Sequence, residues 1–436
     1  MALSPTQEPP PNYNSVRAWL AVFGASLTLF CTVGFVNAFG VYQEYYETYL
    51  PGYSASDISW IGSASIFLLY IGAPMAGLLV DKAGPTILLC VGSVGQLLAI
   101  FLASLCTKYY QLFLTQGLLL GASISLLFCP TIAVISRRMP HRRGLALGIV
   151  IGGSSIGGII WPIMLDQLLY KDGVGFGWTM RIVGFTMLPL LAVGCLTIVD
   201  APVTSTQSQA QSTTADDSNE NEGPPPIAND TEKPAKQQQH KADFSPLKKS
   251  AFLLLCAGLA ITYLGLFTPF FYVSPYAIHR GTSSSTAFYL ISAINAASFL
   301  GRVVPGYLAD AYGHFNLCAL SVLAAGVIGF TWTAAESLAG LVIWCLAYGF
   351  ASGAVVSLQG ACAGKIAKRE NQGTAVGLVT GSVAITALVG TPISGQILAK
   401  GGYLGLGMWT GVTLVVGGGI LVTARLKIDR RVLAAH

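Results

Sequence analysis

The feature that most constrains this chain is a succession of apolar stretches, each long enough to cross a lipid bilayer. A membrane-spanning helix needs about 20 predominantly apolar residues. We predict twelve such helices, because the stretches are apolar on all sides, whereas a transmembrane β-barrel shows short alternating segments. The predicted spans are 18–42, 58–80, 86–106, 110–135, 145–169, 179–199, 249–273, 286–309, 316–335, 338–362, 373–398 and 403–424.

The charge content points to the same environment. Only 10% of the 436 residues are charged, whereas an ordinary soluble domain has about 25%. So few charges argue against a soluble enzyme, a nucleic-acid-binding protein and a disordered scaffold. We therefore predict an all-α membrane protein that lies in the lipid bilayer and has no nucleic-acid partner.

A polar segment divides the predicted spans into two groups of six. Ser, Thr, Gln, Asn and Pro dominate this segment, and it has almost none of the large apolar residues that a core requires. Segments of this composition remain disordered. The predicted regions are a disordered N-terminal tail at 1–16, a six-helix half at 17–200, a disordered linker at 201–247, a second six-helix half at 248–425 and a tail at 426–436.

Lys and Arg predict the orientation, because positive residues accumulate in cytosolic loops. With a cytosolic N-terminus, the linker and the basic loop at 137–143 lie inside. We expect both termini in the cytosol and a location in the plasma membrane, with the vacuole or another endomembrane as the alternative. The basic residues that would lie outside are only Lys108, Lys171, Arg280 and Lys400.

The sequence gives no indication of an enzyme or of a bound cofactor. It lacks a Ser/His/Asp set, a His-Glu-x-x-His motif and the phosphate-binding Gly-x-x-x-x-Gly-Lys-Ser/Thr loop, so ATP-driven pumping is unsupported. The nine cysteines lie in apolar stretches without zinc-ligand or redox spacing. We expect them to be small buried hydrophobic residues, and we predict no enzymatic activity, no metal site and no cofactor.

A short pattern occurs twice, 229 residues apart, between spans 2 and 3 and between spans 8 and 9. The same offset relates Gly144 of span 5 to Gly373 of span 11, and Gly148 to Gly377. A duplication of this kind predicts two parallel six-helix halves around a midplane cavity, which is an architecture of transporters. The two copies are Gly77-x-Leu79-x-Asp81-x-x-Gly84 and Gly306-x-Leu308-x-Asp310-x-x-Gly313.

The repeated pattern suits a gate on the cytosolic side. Glycines let two helices approach closely, and an Asp at a helix end can pair with an Arg or cap a neighbouring helix. We expect these contacts to hold the cytosolic side shut and to release during the conformational change; a tight turn without a gating role is the alternative. The candidate gating residues are Gly77, Asp81, Lys82, Gly84, Gly306, Asp310 and Gly313.

The repeated loop and the six-plus-six layout resemble the major facilitator superfamily, in which this loop is the best-known motif. Other stretches resemble its monocarboxylate-porter branch, in particular the fungal members, over nearly the whole chain outside the tails and linker. Drug-exporter branches usually carry an Arg three residues before a Gln-Gly pair in span 4. This chain has Phe113 at that position, which argues against a proton-antiport drug exporter. The stretches that carry the resemblance are 34–46 (GFVNAFGVYQEYY), 58–63 (ISWIGS), 142–148 (RRGLALG), 152–162 (GGSSIGGIIWP) and 295–302 (NAASFLGR).

Arg302 in span 8 is the clearest candidate for binding a substrate. Ionisable groups inside a membrane are costly and usually functional. The resemblance implies that an Arg in span 8 binds the substrate carboxylate, and a guanidinium can pair with a carboxylate through two parallel hydrogen bonds. The alternative is that Arg302 extends to the cytosolic surface or pairs with an acid near a helix end.

The resemblance also implies a proton-coupling pair that this chain lacks. Animal members of the branch place an Asp one turn before this Arg and a Lys in span 1; the corresponding residues here are Ser298 and Val41. Three alternatives follow. Coupling uses Glu44 or Asp166, near the outer ends of their spans, or transport is a facilitated leak, or the binding chemistry differs from that of lactate carriers.

Neutral polar and aromatic side chains are further candidates for the cavity. Asn37, Gln116, Asn295 and Gln359 would either line it or bond neighbouring helices. Span 7 is unusually aromatic, which predicts either a wall for a bulky ring-bearing substrate or ordinary packing and an interfacial belt. The aromatic residues of this span are Tyr263, Phe267, Phe270, Phe271 and Tyr272.

These features predict a secondary active or facilitated transporter that works by alternating access. The expected cargo is a small organic acid or an acidic secondary metabolite, with protons as a candidate coupling ion. The aromatic span and the missing Asp–Lys pair favour a larger cargo that is exported from a fungal cell. The alternatives are a proton-coupled monocarboxylate uptake carrier and a non-transporting nutrient receptor on the same fold.

Overall fold

A computed structural model of the chain describes residues 16–50, 52–53, 55–199 and 249–428. These residues are helical, apart from short turns, and contain no strand. The predicted linker and most of both predicted tails lie outside the described residues. The helices reach slightly into the predicted tails, since the first begins at Val16 and the last ends at Ile428.

Before the linker the chain forms ten α-helices within the described ranges. Two π-helical segments, Phe113–Leu119 and Gln167–Lys171, and a 3-10 turn, Pro140–Arg142, directly adjoin these α-helices. The α-helices are α1 Val16–Cys31, α2 Val33–Val36, α3 Phe39–Tyr49, α4 Ala55–Ile71, α5 Ala73–Ala83, α6 Pro85–Ala103, α7 Tyr109–Leu112, α8 Leu120–Arg138, α9 Arg143–Asp166 and α10 Phe176–Thr197.

The described residues after the linker also form a series of α-helices. Gly402, with φ +61°, interrupts the last helix between the final two predicted spans. Short 3-10 turns lie at Trp332–Ala334 and Arg369–Asn371. The α-helices are α11 Ser250–Leu266, α12 Thr268–His279, α13 Ser284–Tyr312, α14 His314–Phe330, α15 Leu338–Ile366, α16 Gln372–Ser382 and α17 Ala384–Ile428.

The all-α membrane fold predicted from the sequence is confirmed. Among the described residues, eight helical runs are long and apolar enough to cross a bilayer, and a ninth forms if Asp57–Ile71 and Ala73–Ala83, bent by 42°, make one span. The 17-residue α14 is a shorter apolar helix, and α13 contains the predicted span 286–309. The count of twelve spans stays a prediction.

The outer surface of the helices is apolar. Large side chains such as Phe23, Met75, Phe185, Leu196 and Ile343 are more than half exposed. Water-soluble proteins rarely expose apolar patches of this extent, whereas a helix in lipid satisfies its backbone internally and can present such a surface.

The expectation that all nine cysteines are buried is wrong for Cys90, which is exposed. Its neighbours on α6, Ile87, Val91 and Val94, are also more than half exposed. An apolar position in a membrane helix can face lipid as readily as the protein interior, so apolarity alone does not predict burial. Cys195 and Cys256 are partly exposed, and the other six cysteines are buried.

Candidate functional site

Arg302 lies buried at the contact between α13 and α9. Its Nη1 donates hydrogen bonds to the carbonyl oxygen of Ile151 at 2.6 Å and to Oγ of Ser154 at 2.5 Å. The side chain is about 6% exposed, and its Nε is buried without a hydrogen-bond partner. Among the described residues, no carboxylate lies within 4.0 Å of the guanidinium. The guanidinium therefore neither reaches the surface nor pairs with an acid of the described chain.

Tyr70, Tyr263 and Gln359 form a neutral polar cluster beside this guanidinium. The hydroxyl of Tyr263 on α11 donates to Oε1 of Gln359 on α15 at 3.0 Å. The ring of Tyr70 on α4 meets the ring of Tyr263 edge to face, with centroids 5.8 Å apart. Both tyrosines are close enough to Arg302 to interact with its charge. Four helices besides α13 thus contribute to the surroundings of Arg302: α4, α9, α11 and α15.

Asn37 and Asn295 converge on Gly158 of α9. A Cβ atom on Gly158 would lie 3.0 Å from Oδ1 of Asn295 and 3.3 Å from Nδ2 of Asn37. Asn295 is buried and donates to the carbonyl oxygen of Ile291 at 3.1 Å, whereas Asn37 is exposed. Asn295 lies seven residues before Arg302, which is about 10 Å along α13. The two amide side chains and the guanidinium therefore all lie along the contact between α9 and α13.

Gln116 lies apart from these groups. Its Oε1 accepts a hydrogen bond from the hydroxyl of Tyr46 at 2.8 Å, and its Nε2 lies 4.0 Å from Sδ of Met180. Both partners belong to the part of the chain before the linker, and Gln116 is buried. Of the two alternatives for this residue, the contacts favour bonding between neighbouring helices.

The aromatic residues of span 7 divide into two groups. Tyr263, Phe267 and Phe270 share one face of the span and continue to Tyr348, with successive centroids 5.5, 6.0 and 6.4 Å apart. Phe271 faces outward, with 51% exposure, and the partly exposed Tyr272 donates a hydrogen bond to the carbonyl oxygen of Thr391 at 3.3 Å. Only the first group is therefore continuous with the polar cluster, since Tyr263 belongs to both.

The two acids proposed for proton coupling are not part of this cluster as far as the structure describes them. Asp166 is the last residue of α9, and its Oδ2 pairs with Nζ of Lys171 at 3.1 Å in a partly exposed position. It lies twelve residues, or about 18 Å along the helix, from Ser154. Glu44 lies in α3, and its side chain is outside the described residues.

The two aspartates of the repeated motif cap helices of the opposite predicted half. Asp81 at the end of α5 accepts hydrogen bonds from the amides of Gly373 at 3.0 Å and Thr374 at 2.6 Å, and from the hydroxyl of Thr374 at 2.6 Å. Arg137 Nη1 lies 3.7 Å from the same carboxylate. The N-terminus of α16 carries unsatisfied amides and a partial positive charge, which a carboxylate stabilises.

Asp310 makes the equivalent contact at the start of α9. Its carboxylate accepts from the amides of Gly144 at 2.7 Å and Leu145 at 2.9 Å. Nε2 of His314 lies 3.2 Å from it. Two helix caps thus connect α5 with α16 and α13 with α9, and they are related by the 229-residue offset. The gating role of these contacts stays a prediction.

Glycines permit the close approach of the helices at both caps. A Cβ on Gly77 would collide with the carbonyl oxygen of Gly373, and a Cβ on Gly306 with that of Gly144. The turns after the capping aspartates use Gly84 and Gly313, with φ of +77° and +94°. Lys82, between Asp81 and the first of these turns, is exposed.

Sequence reasoning did not select Tyr70 or Ser154 as site residues. Ser154 belongs to the quoted stretch at 152–162, so the resemblance pointed to its neighbourhood. Tyr70 is an isolated aromatic residue in an apolar span, and nothing in its local sequence separates it from a packing residue.

A family model of the Major Facilitator Superfamily matches residues 18–391 of this chain. The chain belongs to the major facilitator superfamily. This membership and the apolar helices make it a multi-pass membrane protein.

Several curated proteins of this superfamily are similar to the chain over most of its length. An MFS-type transporter of Aspergillus fumigatus is 51% identical, and the match covers 100% of this chain and 98% of that protein. The agnestins efflux protein of Paecilomyces divaricatus is 44% identical, with coverages of 98% and 91%. The aspyridones efflux protein of Emericella nidulans is 34% identical, with coverages of 97% and 80%.

A solved structure of the superfamily supports the fold. The human organic anion transporter MFSD10 matches with a TM-score of 0.65 over 95% of this chain and 100% of that chain. At 15% identity the likeness concerns the fold alone. The superfamily assignment predicted from the sequence is confirmed, and its monocarboxylate-porter branch stays a prediction.

Proposed function

We propose that this protein exports a small organic acid or an acidic secondary metabolite from a fungal cell by alternating access. Two of its relatives are named as efflux proteins, for agnestins and for aspyridones. Names of transport and efflux do not favour the alternatives of an uptake carrier or a nutrient receptor. The proposal places the protein in the plasma membrane, with both termini cytosolic, within the monocarboxylate-porter branch.

The observation that carries the acidic cargo is the buried guanidinium of Arg302. An uncompensated charge inside a protein is costly, and an anion that pairs with it removes much of that cost. The carbonyl oxygen of Ile151 and the hydroxyl of Ser154 leave the positive charge in place. A carboxylate or another acidic oxygen of the cargo would supply the missing negative charge through charge-assisted hydrogen bonds.

The side chains around Arg302 determine the other chemical features that we propose for the cargo. Gln359, Asn295 and Asn37 offer hydrogen bonds, and the ring row from Tyr263 to Phe270 offers an apolar wall. A cargo with an acidic group at one end and a ring system beside it suits both features. In this proposal the helix caps at Asp81 and Asp310 form when the cytosolic side is closed and break when it opens.

Efflux from proteoliposomes tests this function. Vesicles containing the purified protein are loaded with a panel of radiolabelled organic acids that includes benzoate, cinnamate and phenylpyruvate. We expect at least one to leave faster than from empty vesicles, and Arg302→Ala to remove the difference.

Arg181→Ala is the matched control. Arg181 also lies inside a predicted span, but its guanidinium sits over the ring of Trp178 at 4.8 Å rather than in the cluster. Efflux that survives in Arg302→Ala, with normal membrane insertion of the variant, would remove Arg302 from the site.

A further inference from the structure

The charges around Arg302 bear on how the cargo crosses the membrane. Asp166 is the only acidic residue inside the twelve predicted spans, and none of the five histidines lies inside one. Asp166 is paired with Lys171 near the protein surface. The central cluster therefore contains no described Asp, Glu or His that could exchange a proton with the cargo.

The acid closest along the chain to Arg302, and the matching acid of the first copy of the motif, are both engaged elsewhere. Asp310 lies eight residues further along α13, or about 12 Å, and its two oxygens accept the amides of Gly144 and Leu145. The carboxylate of Asp81 is likewise occupied by the start of α16. The charged or titratable side chains described near these two caps are Arg137 beside Asp81, and Arg143 and His314 beside Asp310, and none of the three has a described contact with Arg302.

We propose that the cargo is carried as its anion, with one net negative charge moved per cycle and no coupled proton. A neutral, protonated acid would leave Arg302 without a counterion, whereas the anion neutralises it. A carboxylate beside the Arg would neutralise it in the empty site and would take up a proton when the anionic cargo displaced it, which would couple a proton to transport; the described site has only hydroxyl, amide and carbonyl groups there. The inference rests on the proposed function.

A direction of transport follows from the charge. In a membrane that is negative inside, the potential drives an anion outward, by about 50-fold in concentration ratio per 100 mV for one charge. The membrane potential would therefore drive export without any coupling ion.

Potential-clamped proteoliposomes test the inference. The potential is set with potassium gradients and valinomycin, the pH is equal on both sides, and the probes are radiolabelled benzoate, cinnamate and phenylpyruvate. We expect an inside-positive potential to accumulate a transported probe toward a ratio of about 50-fold per 100 mV. A pH gradient at zero potential should cause no accumulation beyond that in empty vesicles.

Two outcomes would overturn the inference while leaving the proposed function intact. One is accumulation that follows the pH gradient at zero potential, which would mean proton coupling. The other is flux that requires an anion on the opposite side and ignores the potential, which would mean electroneutral exchange. Both use the unmodified protein, so they do not depend on the folding of a variant.

Variants separate failure of this inference from failure of the proposed function. Arg302→Gln should reduce potential-driven accumulation to the level of empty vesicles, and Arg181→Gln should stay within about two-fold of the unmodified protein. If the unmodified protein moves none of the three probes above the empty-vesicle level, under either gradient, the proposed function fails for aromatic carboxylates and this inference fails with it.

Discussion

Asp81 and Asp310 occupy matching places in the two copies of the motif, yet different neighbours hold them. Both cap the first amides of a helix from the opposite predicted half. Asp81 gains a third hydrogen bond from the hydroxyl of Thr374, where the other cap has Leu145. Asp310 instead has His314 at 3.2 Å, at the position where the first copy has Pro85.

This difference shows which features of the helix cap are common to both copies of the motif. The backbone plan of Asp, close glycines and helix N-terminus occurs in both caps, because it depends on geometry that only small residues allow. The side chains around each carboxylate differ, so the two caps need not have equal strength. Unequal caps would open in a preferred order.

The largest effect is expected from filling the glycine contacts. Gly77→Ala and Gly306→Ala each direct a Cβ into a backbone carbonyl that has little freedom to move. Overpacking of this kind costs about 1–3 kcal/mol. We expect a lower midpoint of thermal unfolding in detergent. We also expect a thiol reagent to modify Ser136→Cys faster, in a chain whose nine native cysteines are replaced. Ser136 suits this probe because it is buried next to Gly364.

Gly419→Ala is the control for this prediction. Gly419 lies in α17 with no heavy atom within 4 Å of its added Cβ, so alanine should leave stability unchanged or raise it by about 0.5–1 kcal/mol. If Gly77→Ala and Gly306→Ala behave like Gly419→Ala, the two crossings are not tight contacts.

Removal of the capping carboxylates should give the next largest effect. Asp81→Ala and Asp310→Ala each lose a helix cap, which costs about 0.5–2 kcal/mol, and Asp81→Ala should cost more because it loses three hydrogen bonds from α16. The same cysteine at Ser136 measures the opening. Asn variants of both should lose little stability, since Asn caps about as well as Asp; equal loss in the Ala and Asn variants would contradict capping as the role.

Exchange of Thr374 and Leu145 should sharpen the comparison. Thr374→Leu removes the hydroxyl that donates to Asp81, at a cost of about 0.5–1.5 kcal/mol, and should make the first cap resemble the second. Leu145→Thr offers Asp310 the corresponding hydroxyl and should slow cysteine modification. The difference between the caps arises elsewhere if neither variant changes the modification rate.

The smallest effect is expected at the first residue of the helix that follows each copy of the motif, which is Pro85 in α6 and His314 in α14. His314→Pro removes the imidazole beside Asp310, and proline is tolerated there because the first helical residue needs no amide bond. The free energy of unfolding, obtained from thermal unfolding, should change by less than about 1 kcal/mol. Pro85→His is the reciprocal variant; a large loss of stability in His314→Pro would show that the histidine does more than contact Asp310.

The candidate site shows where sequence reasoning succeeds and where it stops. Arg302 stood out because a charge inside an apolar span is rare whatever surrounds it. Tyr70 did not stand out, since its place beside Tyr263 depends on the contact of helices about 190 residues apart in the chain. Gln116 was selected for its polarity, but its partner Tyr46 lies 70 residues away and cannot be read from the local pattern.

The chain's own order of residues determined the all-α membrane fold, the repeated motif and the isolated positive charge, because apolar length, residue spacing and charge are local properties. The tertiary structure alone decided that Asp81 and Asp310 reach across to α16 and α9, and that Ile151 and Ser154 receive the guanidinium of Arg302. Those partners depend on which helices cross and at what depth, and the crossings are set by the packing of the whole helix assembly.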